Sequence, residues 1–284
     1  MSTMVAAPPV GFVARHPLAA FFGWFFTVGQ AFAFAPVVFE TGVPHQVFIV
    51  GSSMFGLLLP ALVITRITEG PDGVRVWAQS LVNWRVSIGW YAFALLAVSA
   101  VSVAGTVLLL GPPAQFAVAD LGSLFLSGFV LQLVFTMVPN NWAEEAVWSG
   151  FVQARMQRRH RPAVAAVLVA PLFAMQHISL MWGNSLLVGA LLMVGFTVVM
   201  IPYRFLTGWA FNRTGSLFLL GLIHAAGNAI APGSGFGDGG VLRRLYPDNE
   251  FAGMVHLLAF AVIGLVVLLA TRGRLGGRRT EPKA

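Results

Sequence analysis

"VSIGWYAFALLAVSAVSVAGTVLLL", residues 86–110, runs without a single charged side chain. A helix that crosses a bilayer needs about 20 predominantly apolar residues, so this stretch alone is long enough. Working outward from it, Leu18 to Phe39, Gln46 to Thr65, Leu121 to Val138, Ala163 to Trp182, Ser185 to Ile201, Ser216 to Ala231 and Phe251 to Ala270 qualify in the same way. The whole chain of 284 residues agrees: 57% of it is hydrophobic, 10% is charged, and the mean hydropathy is +0.81. The expectation is an all-α, polytopic membrane protein of about eight transmembrane helices. No internal repeat and no long polar linker divides residues 1–284, which read as one integral membrane domain.

Cysteine is absent, which excludes disulfides, thiol nucleophiles and cysteine-ligated metals. The net charge of +7 raises the question of a nucleic-acid partner, but placing the charges on the spans answers it otherwise. Fifteen of the 17 basic residues fall on one side: Arg15, Arg66, Arg75, Arg85, Arg155, Arg158, Arg159, Arg161, Arg204, Arg213, Arg272, Arg274, Arg278, Arg279 and Lys283. Positively charged loops stay in the cytosol, so both termini are expected there, in a plasma membrane, with no nucleic acid as partner. Arg243 and Arg244, in the longest outer loop, run against the pattern. Arg15 followed by Leu18 to Gly29 and Ala31-Phe32-Ala33 has the look of a signal peptide. The apolar run continues to Phe39, however, and cleavage would delete a full span.

Gly70-Pro71-Asp72-Gly73 is turn chemistry, and Val74, Trp77, Leu81 and Trp84 then recur at helical spacing among polar residues. This pattern predicts a short interfacial helix. Leu121 to Ala154 as one helix would be about 50 Å long against a hydrocarbon core of roughly 30 Å. Pro139-Asn140-Asn141 is the expected break, the proline removing a donor and the asparagines available as caps. Near the other end, Gly235, Gly237 and Gly240 fit G-x-G-x-x-G, and Gly235-Phe236-Gly237-Asp238 fits the GxGD of presenilin-like proteases. The first lacks a strand before it and the second lacks a partner Asp within a span, so the segment reads as an outer loop.

Ionisable groups within hydrocarbon are expensive and mark function by default. Here they are Glu144, Glu145, His177, His224 and His256, with Gln176 and Asn228 as polar companions. At 1.5 Å of rise per residue, Glu144 and His224 lie about 16 Å in from Arg155 and Arg213, and His177 and Asn228 about 22 Å in from Pro162 and Arg213. Four polar groups on three spans thus share roughly one level. Any one of these histidines is explained by a hydrogen bond to a neighbouring helix, and His256, without a companion in register, keeps that reading. The matched set is a parts list for hydrolysis. A carboxylate in an apolar cavity is a competent general base for water. Imidazole helps hold that water, and His224 and Asn228, at i and i+4, share a helix face suited to an oxyanion. Glu145 points about 100° away from Glu144 and is expected to make either a hydrogen bond that supports the site from behind or a contact one turn on, near Ser149. Zinc is the rival chemistry for two histidines and a glutamate, but the H-E-x-x-H helix is missing. Catalysis without a metal or other cofactor is therefore expected.

"EEAVWSG" from Glu144, "FAMQH" from Phe173 to His177 and "HAAGN" from His224 to Asn228 resemble, in order and residue type, the three motifs of the CPBP (Abi) family of intramembrane proteases, which includes the type II CAAX prenyl endopeptidases. Those motifs read EExxxR, FxxxH and HxxxN or HxxxD, and the resemblance covers about residues 120–232 as the catalytic core. It implies Glu144 as the glutamate that activates water with His177, His224 and Asn228 as oxyanion donors, and Glu145 and Phe173 in support. Ser149 stands where the motif has arginine, and Arg155 lies six residues further on, facing elsewhere. If that arginine orients a carboxylate or receives a substrate carboxyl end, that contact is lost here, the catalytic set being otherwise complete. The reading is an intramembrane endopeptidase acting on a membrane-embedded or lipid-anchored peptide, with a non-CAAX substrate favoured by Ser149. Two alternatives are a catalytically degenerate binding or immunity protein of the same fold, and a proton-coupled transporter. The transporter would need ionisable groups leading to both surfaces, which are absent beyond the central set.

Overall fold

The computed structural model describes residues 11–40, 42–114, 116–231, 233 and 239–276. Among them the chain is helical throughout, with no strand. Six helices are long and apolar enough to cross a membrane: α1 (Pro17–Val38), α2 (His45–Leu81), α3 (Ile88–Leu110), α4 (Val118–Thr136), α7 (Leu186–Thr214) and α10 (Glu250–Ala270). Between them lie α5 (residues 142–157), α6 (Pro162–Met175), α8 (Leu217–Ile230) and α9 (Val241–Leu245). The eight expected spans comprise these six and two shorter apolar helices, α6 and α8. The helices α6 and α8 have 14 residues each, or about 21 Å, short of the hydrocarbon thickness. The segment of Gly235, Phe236, Gly237 and Asp238 lies outside the described residues.

The chain folds as two compact units, Met1–Gln79 and Ser80–Ala284. In the first, Phe21 and Phe25 stack with centroids 6.1 Å apart, and Ser52 Oγ donates to Gly29 O at 3.1 Å. The expected interfacial helix is the continuation of α2, which kinks at Gly70 (φ 69°) just before Pro71.

In the second unit α8 is the centre. It is apolar apart from His224 and Asn228, and 12 of its 14 residues are buried, as so apolar a helix must be. It packs against α3, α4 and α5, while α7 packs on α6 and α10. Its start is set by Ser216, whose hydroxyl accepts from Leu219 N at 3.0 Å. At Gly221 an added Cβ would meet Trp142 Cα at 2.9 Å, so the missing side chain is what allows α8 and α5 to close up. Outward, Leu96, Leu108, Leu191, Val198 and Leu269 are exposed. Such a surface in water would be an association patch; against lipid it is the ordinary solvent face.

The break before α5 falls where the sequence places it. Val138 leaves the helical region (φ −111°, ψ 116°), as the residue preceding a proline tends to. Asn141, however, does not cap α5 with its side chain, which is committed to the site. The helix α7 corrects the expected span end at Ile201. It runs through Pro202 for 29 residues to Gly215, whose left-handed backbone (φ 61°) and N–H to Phe211 O (2.8 Å) close it.

Candidate active site

Glu144 and Glu145 open the first turn of α5 and are both buried, with 4% and 0% of their surface exposed. Their surroundings differ in kind. Glu145 accepts from Tyr203 Oη (2.6 Å), from Ser149 Oγ (2.6 Å) and from Arg204 Nη1 at both oxygens (3.2 and 3.3 Å). Charge-assisted bonds of this kind are about twice as strong as neutral ones, and together they saturate the carboxylate. The contact expected near Ser149 is therefore present, as one part of a larger cage. Among the described residues Glu144 has only carboxamide donors: Gln176 Nε2 on Oε1, and Asn141 Nδ2 on Oε2 at 3.4 Å. Among the described residues no guanidinium or ammonium pairs with it.

His224, on α8, turns Nδ1 toward both carboxylates, 3.4 Å from Glu145 Oε1 and 3.6 Å from Glu144 Oε2, without hydrogen-bond alignment to either. One turn on, Asn228 Nδ2 donates to Asn141 Oδ1 at 3.1 Å, so Asn228 reaches Glu144 through Asn141. His177 sits just past the end of α6, at the start of the 3-10 turn Ile178–Met181. Its Nδ1 lies 3.3 Å from Phe173 O, and its ring centre lies 5.2 Å from that of Phe196. Phe173 joins the parts: its ring lies 5.3 Å from His177, 5.6 Å from Tyr203, 5.7 Å from Trp148 and 6.3 Å from His224. Trp148 in turn donates to Gln176 Oε1. His256 stands apart on α10, its Nδ1 3.0 Å from Gly253 O.

The structure therefore gathers Glu144, Glu145, Phe173, Gln176, His177, His224 and Asn228 from α5, the α6 end and α8. Four participants escape a reading of the sequence: Asn141, Gln153, Tyr203 and Arg204. Arg204 requires correction most plainly. Counted above with the cytosolic charges, it is fully buried and paired with Glu145. Reading Pro202 as the end of a span put it outside; α7 continues ten residues past Arg204, about 15 Å of helix. A guanidinium thus reaches Glu145 and Ser149 from another helix, α7. Arg155 does face elsewhere, its guanidinium lying 3.8 Å from the centre of the Phe151 ring.

No group of three or more His, Asp or Glu side chains among the described residues is disposed to hold a metal ion. Glu144, Glu145 and His224 come together, but Glu145 is fully engaged by Arg204, Tyr203 and Ser149.

The fold and site define an all-helical, multi-pass membrane protein with a buried glutamate pair facing imidazole and carboxamide groups. Residues 126–230 match the model of the family described as type II CAAX prenyl endopeptidase Rce1-like, which relates the chain to the CPBP family. That is a protease family, so at the level of the family the relation is to a hydrolase. No curated protein and no solved structure matches the chain.

Proposed function

We propose that the protein is an intramembrane endopeptidase in which Glu144 activates water to hydrolyse a peptide bond of a membrane-associated peptide. The observation that carries this is the asymmetry of the pair. Glu145 is saturated by a guanidinium and two hydroxyls, whereas Glu144 is held by neutral carboxamides beside the His224 imidazole. A base must keep an oxygen available for a proton, and only Glu144 meets that condition. With Nδ1 occupied by Phe173 O, His177 is left with Nε2 to hold the water. Glu144 takes the proton as the hydroxide attacks the carbonyl carbon. The edge of His224 away from the carboxylates, with Asn228, donates to the tetrahedral oxyanion. Return of the proton to the leaving nitrogen then accompanies cleavage of the C–N bond. No step requires a metal or another cofactor.

The substrate is a membrane-embedded or lipid-anchored peptide, since the carboxylate lies in a helical, lipid-facing unit. Both termini lie in the cytosol on the strength of the basic loops, and the membrane in this reading is the plasma membrane. The test is cleavage of fluorogenic, membrane-tethered peptides by the protein in liposomes. Wild type, Glu144→Gln and His177→Ala are compared, each with and without a strong chelator. Turnover that disappears in both variants and survives chelation is the expected result. Loss on chelation overturns the metal-free mechanism, and a wild type that cleaves no peptide favours the binding protein.

A further inference from the structure

An arginine within an otherwise apolar span is costly unless it is matched, and Arg204 is matched with unusual completeness. Its Nη1 reaches both oxygens of Glu145, Nη2 donates to Ser149 Oγ at 2.7 Å, and Nη2 and Nε donate to Gln153 Oε1 at 2.9 and 3.0 Å. The three acceptors stand at i, i+4 and i+8 on α5 and so form one stripe. Room for them is specific as well: a Cβ at Gly208, one turn beyond Arg204, would meet Gln153 Nε2 at 2.2 Å. Phe173 closes the cage, its ring centre 5.4 Å from the guanidinium carbon. The caged carboxylate also presents Oε1 to His224 Nδ1 at 3.4 Å.

We propose that Arg204 is a positioning residue: reaching in from α7, its guanidinium holds the Glu145 carboxylate where it orients His224 beside Glu144, a duty that an arginine at position 149 can also perform. Ser149 Oγ lies between guanidinium and carboxylate, accepting from one and donating to the other. An arginine there, at i+4 from Glu145, is within helical reach of the same oxygens. The proposal rests on the proteolytic reading above.

The test uses the full chain in liposomes with the same peptides. Four forms are compared: wild type, Arg204→Met, Arg204→Met with Ser149→Arg, and Arg204→Met with Glu145→Leu, the last leaving no orphan charge. Arg204→Met is expected to lower kcat about 100-fold, the scale of an ångström of misplacement, with KM little changed. Adding Ser149→Arg recovers at least about tenfold of this loss. The double variant without either charge keeps the wild-type thermal midpoint and stays slow. A Ser149→Arg double variant no faster than Arg204→Met overturns the proposal. So does an Arg204→Met, Glu145→Leu variant as fast as wild type, because the pair is then structural only.

Infrared difference spectra read the same contact without turnover. An unmatched buried carboxylate is neutralised by a proton, so Arg204→Met gains a protonated-carboxyl band that vanishes when Glu145→Leu is added. Absence of that band overturns the proposal even if the wild type is inactive. An inactive wild type with the band present sinks the proteolytic reading and leaves the coupling of Arg204 to Glu145 standing.

Discussion

Gly221→Ala is the smallest change that separates the two helices carrying the proposed base and the proposed oxyanion donors. The added Cβ would stand 2.9 Å from Trp142 Cα and 3.1 Å from its Cβ, where ordinary contact begins at 3.4 Å. Two backbones are involved and neither yields like a side-chain tip, so α8 and α5 must part by about half an ångström. His224 lies one turn from Gly221 and moves with it, taking the 3.6 Å approach of Nδ1 to Glu144 Oε2 to about 4 Å. If a misplacement of 1 Å costs roughly 100-fold in rate, half of that costs roughly tenfold. Overpacking of this kind also costs about 1–3 kcal/mol of stability. The assay is initial cleavage rate in liposomes together with the thermal midpoint in detergent. Gly195→Ala on α7 serves as control, since a Cβ there meets nothing within 4 Å. If Gly221→Ala matches this control in both rate and midpoint, the close approach of α8 to α5 does not set the site.

Tyr203→Phe removes one donor from Glu145 without leaving a cavity. A hydrogen bond to a charged group is worth about 1.5–3 kcal/mol, so the thermal midpoint should fall, and an unchanged midpoint would show that the hydroxyl does not reach the carboxylate. Glu144→Gln, which keeps the shape of the side chain but cannot take a proton, should lower cleavage by about 10²- to 10⁴-fold; residual activity above that range would move the base elsewhere. The absence of cysteine makes topology directly measurable by single-cysteine labelling. Arg158→Cys and Arg272→Cys should react with an impermeant thiol reagent from the cytosolic face, and Arg243→Cys from the opposite face. Labelling of all three from one side contradicts the orientation proposed.

Much of this protein was legible without coordinates. Uncharged runs such as residues 86–110 determine that the chain is helical and membrane-embedded, because hydrocarbon leaves the backbone no other partner for its polar groups. Pro139 marks the break before α5, and helical rise brings Glu144, His177, His224 and Asn228 to one depth. Depth is a property of each helix separately, which is why it can be read from the chain. The direction in which two helices face each other is not. That Arg204 turns inward onto Glu145, that Asn141 bridges Asn228 to Glu144 instead of capping its own helix, and that α6 and α8 stop short of a full span depend on which backbones pack together. A buried arginine and a loop arginine look alike in sequence, since only a carboxylate contributed by another helix, some sixty residues away along the chain, makes burial of the charge affordable.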